Sequence, residues 1–233
     1  MSVGSRHFLA GMKAAIPPCL GVAPVGISVG LLAVQAGLSE FQAALMSATV
    51  MAGASQLMAI AMITQGAAIV SIVVGVFFIN LRHLVMSSSA MRRMKNTSLA
   101  RRLLSAFALC DESFVIYSLS EDDSCSFLLG ANTALYVTFV ASTVVGSFMT
   151  GFLPQIVIDS FGIAFFATFL GLLIPRVKHN LRLIVLVLIT GALNWLLQLF
   201  LAVSWSVILA MMLGALVGVF LIDDAPQTAE EAA

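Results

Sequence analysis

Long runs without a charged residue constrain this chain more than any other feature of its sequence. The run from Phe41 to Leu81 spans 41 residues, and the run from Leu183 to Ile222 spans 40. A helix needs about 20 apolar residues to cross a bilayer, so each run predicts two crossings. Only 9% of the residues are charged, and the mean hydropathy is +1.08. These values indicate an integral membrane protein, because charged residues make up about 25% of a soluble chain.

Eight hydrophobic segments follow from the pattern of charges and turn residues. A turn at residues 64–66 divides the first long run, and a break near Ser204 and Trp205 divides the last. The other four segments are residues 14–39, 103–120, about 126–150, and the short stretch 159–176. The predicted fold is an all-α polytopic membrane bundle of seven to eight hydrophobic helices, with broken or re-entrant helices as an alternative to full crossings.

The segment 103–120 and the membrane orientation are linked. Asp111 and Glu112 lie at the middle of this segment, so it is expected to face protein or water rather than lipid. With eight full crossings, five basic residues lie on each side, and the positive-inside rule gives a tie. A re-entrant 103–120 segment would change that count, so both alternatives stay open.

The chain is expected to have one membrane domain with polar ends. Residues 1–13 form a polar N-terminus, residues 14–222 the transmembrane domain, and residues 223–233 an acidic tail predicted to be disordered. The length of the first apolar segment and its Pro17-Pro18 start favour a retained helix over a secretory signal.

Several function classes are disfavoured by what the sequence contains. Eleven basic and eleven acidic residues give no net charge, so no basic face for nucleic acid is expected. The three cysteines have no CxxC spacing, and neither an HExxH nor a GxSxG motif occurs. We therefore predict no enzyme activity, no metal and no cofactor.

Residues that are costly or conformationally special at membrane depth are candidates for a substrate site. They fall into four groups along the chain: Pro24 and Gly26; Gly53, Ser55 and Gln56; Asn80, Arg82 and His83; Asp111 and Glu112. Asp159 is a weaker candidate and suits a helix N-cap.

The first two groups allow a functional and a structural interpretation. Prolines remove backbone donors and can leave carbonyls free in a broken helix that lines a cavity, or they can merely kink a packing helix. The Gln56 amide beside Gly53 suits a small zwitterion, but it equally suits hydrogen bonding between helices.

The other two groups carry charge. Arg82 can bind a carboxylate with two hydrogen bonds, and His83 titrates near neutral pH. Alternatively, Arg82 reaches the headgroups or forms a structural ion pair with Asp111 or Glu112. Adjacent carboxylates on a helix point about 100° apart, so only one of them is expected to face a given cavity.

Small residues recur at four-residue spacing and predict close helix contacts. The pairs are Gly26 and Gly30, Ser142 and Gly146, and Gly214 and Gly218, and a fourth stripe lies at residues 44, 48 and 52. Such stripes favour helix packing inside one chain, with contact to a second subunit as the alternative.

Four stretches of this chain resemble the AzlC family of membrane permeases. They are the Gly- and Pro-rich residues 17–36 with GLSEFQAALMS after them, MAGASQLMAIAMI (51–63), INLRHLVMSSS (79–89) and CDESFVIYSL (110–119). This resemblance implies the large subunit of a two-component exporter of branched-chain amino acids in the cytoplasmic membrane. It also implies a small four-helix partner resembling AzlD.

The same resemblance suggests roles for the polar groups. Gln56, Ser55 and an opened first helix would line the site, and Arg82 with Asn80 would bind the substrate carboxylate or order the cavity. Asp111 or Glu112 would bind the ammonium or carry a coupling proton. An ion channel, or a structural membrane subunit without transport, is the alternative function.

Overall fold

The computed structural model describes residues 3–94, 97–154, 156, 174, 180–201 and 203–221. The chain divides into two compact units, Met1–Phe166 and Ala167–Ala233. The described residues form ten helices: α1 Val3–Ala14, α2 Ile16–Gln35, α3 Glu40–Thr49, α4 Gly53–Thr64, α5 Ile69–Arg93, α6 Leu99–Phe107, α7 Asp111–Leu119, α8 Cys125–Met149, α9 Leu181–Gln198 and α10 Val203–Leu221.

The all-α fold is therefore confirmed, but the expected count of seven to eight helices is wrong. Four of the helices are long and apolar enough to cross a membrane: α2, α5, α8 and α9. The count is higher because two segments predicted as single helices are each broken into two short helices, and because the predicted polar N-terminus contains α1. The segment 159–176, with Asp159 but apart from residue 174, and the tail 223–233 lie outside the described residues.

Glycines bring α1 and α2 into backbone contact with α8 in the first unit. A Cβ atom added at Gly11 would lie 1.9 Å from the Phe127 carbonyl oxygen, and one at Gly30 would lie 2.1 Å from that of Thr143. Gly146 of α8 in turn lies against Ile27. Residues further along α1 and α2 contact residues further along α8, so α1 and α2 run parallel to α8. Two of the predicted stripes thus pack against each other inside one chain.

Helix α2 continues through its prolines, which differs from the predicted opening of the first helix. Pro17 and Pro18 lie in the first turn, where a missing N–H leaves no helical hydrogen bond unmade. Pro24 lies inside the helix, and its carbonyl accepts a hydrogen bond from the Ser28 hydroxyl at 2.9 Å. Gly37, with φ of 91°, ends the helix in the left-handed conformation that glycine adopts readily.

Helices α3 and α4 form what we call the first hairpin. A capping box at Ser39 and Gln42 starts α3, and the helix stops at Thr49. Residues 50–52 are not helical, Ala52 is extended, and α4 starts at Gly53. The chain reverses after Thr64 at Gly66, which has φ of 69°, so the turn predicted at 64–66 is confirmed.

The first hairpin goes into the bundle and returns to the same end. Ser47 contacts Thr143 of α8, and Gly53 then lies beside Phe139, so the chain advances toward the middle of α8. Helix α5, joined to α4 by a short turn, ends beside Asp123 at the start of α8. Because its 25 residues extend about 37 Å, α5 begins at the other end of α8, where α4 must end. The predicted full crossing of this segment is therefore wrong.

Helices α6 and α7 form the second hairpin, which enters from the end where α8 begins. Arg101 of α6 donates a hydrogen bond to Ser126 at 3.1 Å, and Ser105, one turn further on, accepts at its carbonyl from Asn132 at 2.9 Å. After a break at residues 108–110, α7 returns, and the Tyr117 hydroxyl donates to the Asp123 carbonyl at 2.8 Å. The re-entrant alternative for this segment is confirmed.

Arg93 holds the returning end of the second hairpin. Its guanidinium donates hydrogen bonds to the carbonyls of Tyr117, Ser118 and Ser120, at 2.6 Å, 3.0 Å and 2.7 Å, and it pairs with Asp123. These are the carbonyls that have no partner inside a helix at its C-terminus. One cation at the end of α5 thus caps α7 and fixes the loop before α8.

The same loop binds α1 through Asp122. The His7 ring contacts the Asp122 carboxylate at 2.5 Å, and the Ser124 amide donates to it at 2.9 Å. Burial alone would raise the pKa of Asp122, but the hydrogen bonds from Ser124 and His7 outweigh burial and hold the pKa of this carboxyl below its usual value.

Replacing Asp122 by Asn is expected to lower the free energy of unfolding by about 1 kcal/mol at neutral pH, or roughly 3 °C in Tm. Because the folded-state pKa lies below the unfolded value of about 3.9, the carboxylate stabilises above that value, and its contribution is lost as pH falls through the folded pKa. Melting curves of the two purified proteins should therefore converge below about pH 4. Glu121→Gln, at an exposed neighbour, is the control and should leave Tm unchanged.

The second unit contains α9 and α10, which pack against each other. A Cβ atom added at Gly214 would lie 2.6 Å from the Thr190 hydroxyl, and one at Gly218 would lie 3.3 Å from Leu186. The predicted stripe of Gly214 and Gly218 therefore faces α9. Helix α9 ends at Gln198 and α10 begins at Val203, so the first helix ends a few residues before the predicted position of the break.

Candidate functional site

The tip of the first hairpin is closed by hydrogen bonds from Gln56. Its amide donates to the carbonyls of Met46, at 3.1 Å, and Val50, and so caps the broken end of α3. Its carbonyl oxygen lies 3.1 Å from the Ser47 hydroxyl, whose one proton is shared between that oxygen and the Thr143 hydroxyl at 3.0 Å. All three polar side chains are at most 2% exposed. Gln56 therefore does inside the protein what water does at an exposed helix end.

The other predicted residues of this region also make internal contacts. The Ser55 hydroxyl, fully buried, donates to the Ala52 carbonyl at 3.0 Å. Gly53 lies against Val25 and Phe139. Gly26 lies in the contact of α2 with α8, where an added Cβ atom would meet Ser142 at 2.0 Å, and Pro24 is exposed. These contacts support the structural interpretation of the first two groups.

Gln56→Leu is expected to destabilise the protein by about 2 kcal/mol, or roughly 6 °C in Tm, because it leaves buried carbonyls without donors. Thermal unfolding of the purified protein measures this effect. Gln65→Leu, at an exposed turn position, is the matched control. An unchanged Tm with a raised KM for transport would contradict the capping role and place Gln56 against the substrate.

The tip of the second hairpin carries charge instead. The break at residues 108–110 places Asp111 and Glu112 in the first turn of α7, where a helix stabilises anions. The Ser113 hydroxyl donates to the Cys110 carbonyl at 3.1 Å and accepts from the Cys110 amide at 3.0 Å. Both carboxylates therefore lie at the start of a half-helix and not within a continuous one.

Arg82 and Asp111 form an ion pair across the second tip. Arg82 Nη1 lies 2.9 Å from Asp111 Oδ2, and the two side chains are 39% and 43% exposed. Arg82 lies near the middle of α5, which is long and apolar enough to cross the membrane. Charged groups at this depth are rarely left facing lipid. The half-exposed pair therefore requires water, a polar ligand or another protein surface beside it.

Three buried polar atoms at or near Arg82 on α5 have no hydrogen-bond partner in the described part of the chain. They are Asn80 Oδ1, Arg82 Nε and His83 Nε2, and all three atoms are buried. His83 also hydrogen-bonds the backbone of Leu109 at the break. Buried polar atoms are nearly always paired in proteins, so this group of donors and acceptors is a place where a polar ligand or water would bind.

The structure thus divides the ten predicted site residues. It brings Arg82, His83 and Asp111 together, with Asn80 two residues before Arg82 on α5 and Glu112 next to Asp111, beside the Cys110 thiol. It places Gly53, Ser55 and Gln56 at the other tip and Pro24 and Gly26 along α2. Sequence analysis did not identify Ser47, Thr143 and Asn132, the buried partners of the two hairpins, because a lone hydroxyl or amide in an apolar run gives little signal.

The described residues contain no group of three His, Cys, Asp or Glu side chains that could hold a metal ion. The predicted absence of a cofactor stays a prediction.

The model of the AzlC protein family matches residues 17–153. The chain belongs to the AzlC family. The match includes α2 to α8 and both hairpins, and all but Asp159 of the predicted polar residues lie within it. No solved structure matches this AzlC-family chain.

Similar proteins are membrane proteins by name. An "Uncharacterized membrane protein" of Archaeoglobus fulgidus is 33% identical over 176 residues, which cover 75% of this AzlC-family chain and 78% of that protein. "Inner membrane protein YgaZ" of Escherichia coli is 27% identical over 199 residues, covering 82% and 81%. A Helicobacter pylori membrane protein is 33% identical over 118 residues, covering 49% and 51%. With its apolar helices, the chain is a multi-pass membrane protein of this family.

Proposed function

We propose that this AzlC-family protein exports small apolar amino acids of the leucine, isoleucine and valine class across the cytoplasmic membrane. The observation that carries the proposal is the Arg82 and Asp111 pair at the second tip. An amino acid has one carboxylate and one ammonium, and a cation beside an anion offers a partner for each. The unpartnered His83 nitrogen adds a donor or acceptor near the pair, and the unpartnered Asn80 oxygen lies three residues before His83 on α5.

In this proposal the substrate inserts between the two charges. Arg82 binds the carboxylate, whose second oxygen also lies near the N-terminus of α7, and Asp111 accepts from the ammonium. The branched side chain fits against apolar residues near the tips, since Met51, Cys110 and Leu135 belong to one buried apolar cluster.

Glu112 is the candidate for a coupling proton. A small four-helix membrane subunit is the proposed partner.

Leucine counterflow in vesicles that contain the chain and its partner tests this function. A carrier saturates with leucine and exchanges internal for external leucine, so labelled leucine should accumulate transiently in loaded vesicles. A channel would conduct without saturation or exchange, and a structural subunit would give no flux at all. Either result would overturn the proposal. Vesicles without the chain, and loading with glutamate in place of leucine, are the controls.

A further inference from the structure

Two parts of the first unit repeat the same order of elements 58 residues apart. Each part consists of a long helix, a short helix, a break and a second short helix. Helices α2 and α5 end at residues 35 and 93, α3 and α6 end at 49 and 107, and α4 and α7 begin at 53 and 111. Three boundaries with one offset indicate an internal repeat, which relates the first hairpin to the second.

The contacts inside the two parts repeat with the same offset. Ser55 and Ser113 are equivalent, and each donates to the carbonyl of the residue before its helix, at 3.0 Å and 3.1 Å. Val25 lies against Gly53, and the equivalent position of Val25 is His83, which neighbours the Arg82 and Asp111 pair. The repeat therefore includes side-chain contacts and not only the three helix boundaries.

The two repeats have opposite directions relative to α8. The first hairpin enters from the end where α8 finishes, since Ser47 contacts Thr143 before Gly53 reaches Phe139. The second enters from the end where α8 starts, with Arg101 at Ser126. Met51 and Cys110, one from each break, belong to the same buried cluster, so the two tips approach the same part of the bundle. Inverted repeats of this kind are typical of transporters with a site near the membrane centre.

Charge distinguishes the two ends. We call the end where α8 starts the basic end, because five basic residues of the described chain lie there: Arg6, Arg92, Arg93, Arg101 and Arg102. Lys13 lies about two turns further along α1. The turns at the opposite end, residues 36–39, 65–68 and 150–154, contain no Lys or Arg. The tie in the positive-inside count arose from assuming that both hairpins cross. With both re-entrant, the rule places the basic end in the cytoplasm.

We propose that the two hairpins are the two gates of one transport pathway, with the first hairpin facing the outside of the cell and the second facing the cytoplasm. The gating part rests on the proposed transport function, whereas the topology does not. Inverted repeats exchange conformations when such a protein changes from one open side to the other. The Arg93 contacts to Tyr117, Ser118 and Ser120 are the connection that keeps the second hairpin in place here.

Labelling from either side tests the topology without any substrate. Single cysteines are introduced by Glu40→Cys and Gln65→Cys, which flank the first hairpin, and by Ser98→Cys and Glu121→Cys, which flank the second. All four positions are exposed. The background carries Cys19→Ala and keeps Cys110 and Cys125, which are buried, and this background alone is the control.

An impermeant maleimide should label the first pair only in intact spheroplasts and the second pair only in inside-out vesicles. Labelling of Glu40→Cys and Gln65→Cys from opposite sides would mean a full crossing and would overturn the hairpin. Agreement within each pair, with the sides exchanged, would overturn the orientation.

A second measurement tests the gates. Ala54→Cys and Ala108→Cys place thiols at the first and second tips, where both alanines are half-buried. An outward leucine gradient should change their labelling rates in opposite directions by about threefold or more, as expected when a ligand shifts a two-state equilibrium. Rates that change together, or not at all while counterflow is intact, would overturn the gating. Absent counterflow with the expected topology would overturn only the proposed function.

Discussion

Arg82→Ala is expected to lower leucine export by about 30-fold, because a lost charge-assisted hydrogen bond costs about 2 kcal/mol in substrate and transition-state binding. The Arg82 side chain is 39% exposed, so water screens part of its interaction with the substrate and limits the loss of export. Initial efflux rates from leucine-loaded cells, normalised to the amount of protein in the membrane, measure the effect. Arg92→Ala removes an exposed arginine ten residues further along α5 and should leave export unchanged.

Exchanging the two charges separates substrate binding from a structural ion pair. In Arg82→Asp with Asp111→Arg, a purely structural pair would re-form and restore export to near the wild-type rate. A substrate site would not recover, because the ammonium and carboxylate would meet the wrong charges and the new Arg would lie at a helix N-terminus. We expect no recovery. Recovery of both folding and export would refute the role proposed for this pair.

Gly30→Ala is expected to cost about 3 kcal/mol of unfolding free energy. Its added Cβ atom would lie 2.1 Å from the Thr143 carbonyl oxygen and 2.6 Å from the Ser147 amide nitrogen. Both are backbone atoms, so α2 and α8 must move apart to make room. The expected fall in Tm is roughly 9 °C in detergent, followed by the loss of the monodisperse peak on size exclusion.

Gly21→Ala is the matched control on the same helix. No described heavy atom lies within 4 Å of a Cβ atom built at Gly21, and alanine favours helix over glycine. This variant should therefore unfold at the wild-type temperature or slightly above it. Equal melting temperatures for the two variants would mean that the close contact of α2 with α8 does not stabilise the fold.

The long helices could be predicted from the sequence because each crossing has a length that hydrocarbon thickness sets. The span expected at about 126–150 is α8 at 125–149, and the first segment is α2. The turn before α5 was predicted correctly at Gly66, because glycine readily adopts the left-handed conformation that follows the end of α4. Charge-free length alone locates such elements.

The two breaks could not be predicted in this way, because they are made by tertiary contacts. Residues 50–52 contain neither Pro nor Gly, and the carbonyls freed there are capped by Gln56. An uncharged segment of about 20 residues has the same composition whether it crosses once or returns. What distinguishes the two is the partner of each half-helix, such as Thr143 for Ser47, which lies far away in the chain.

The site was partly predictable for a related reason. Charged residues at membrane depth are costly, so Arg82 and Asp111 could be identified as candidates and their pairing as one alternative. Gln56 met the same criterion, yet the structure gives it backbone partners. Polarity at depth identifies residues that need a partner, but only the fold determines whether that partner is a ligand or the protein itself.

The glycine contacts of α8 also determine which parts of this protein can move. Two helices that touch through backbone atoms, as at Gly11 with Phe127 and at Gly30 with Thr143, have no side chains between them that could rotate and let them slide. Helices α1, α2 and α8 are therefore expected to move as one rigid unit. Movement during a transport cycle should therefore be confined to the short helices of the two hairpins, with the breaks at residues 50–52 and 108–110 as hinges. The distance between α2 and α8 should stay constant while the two tips move.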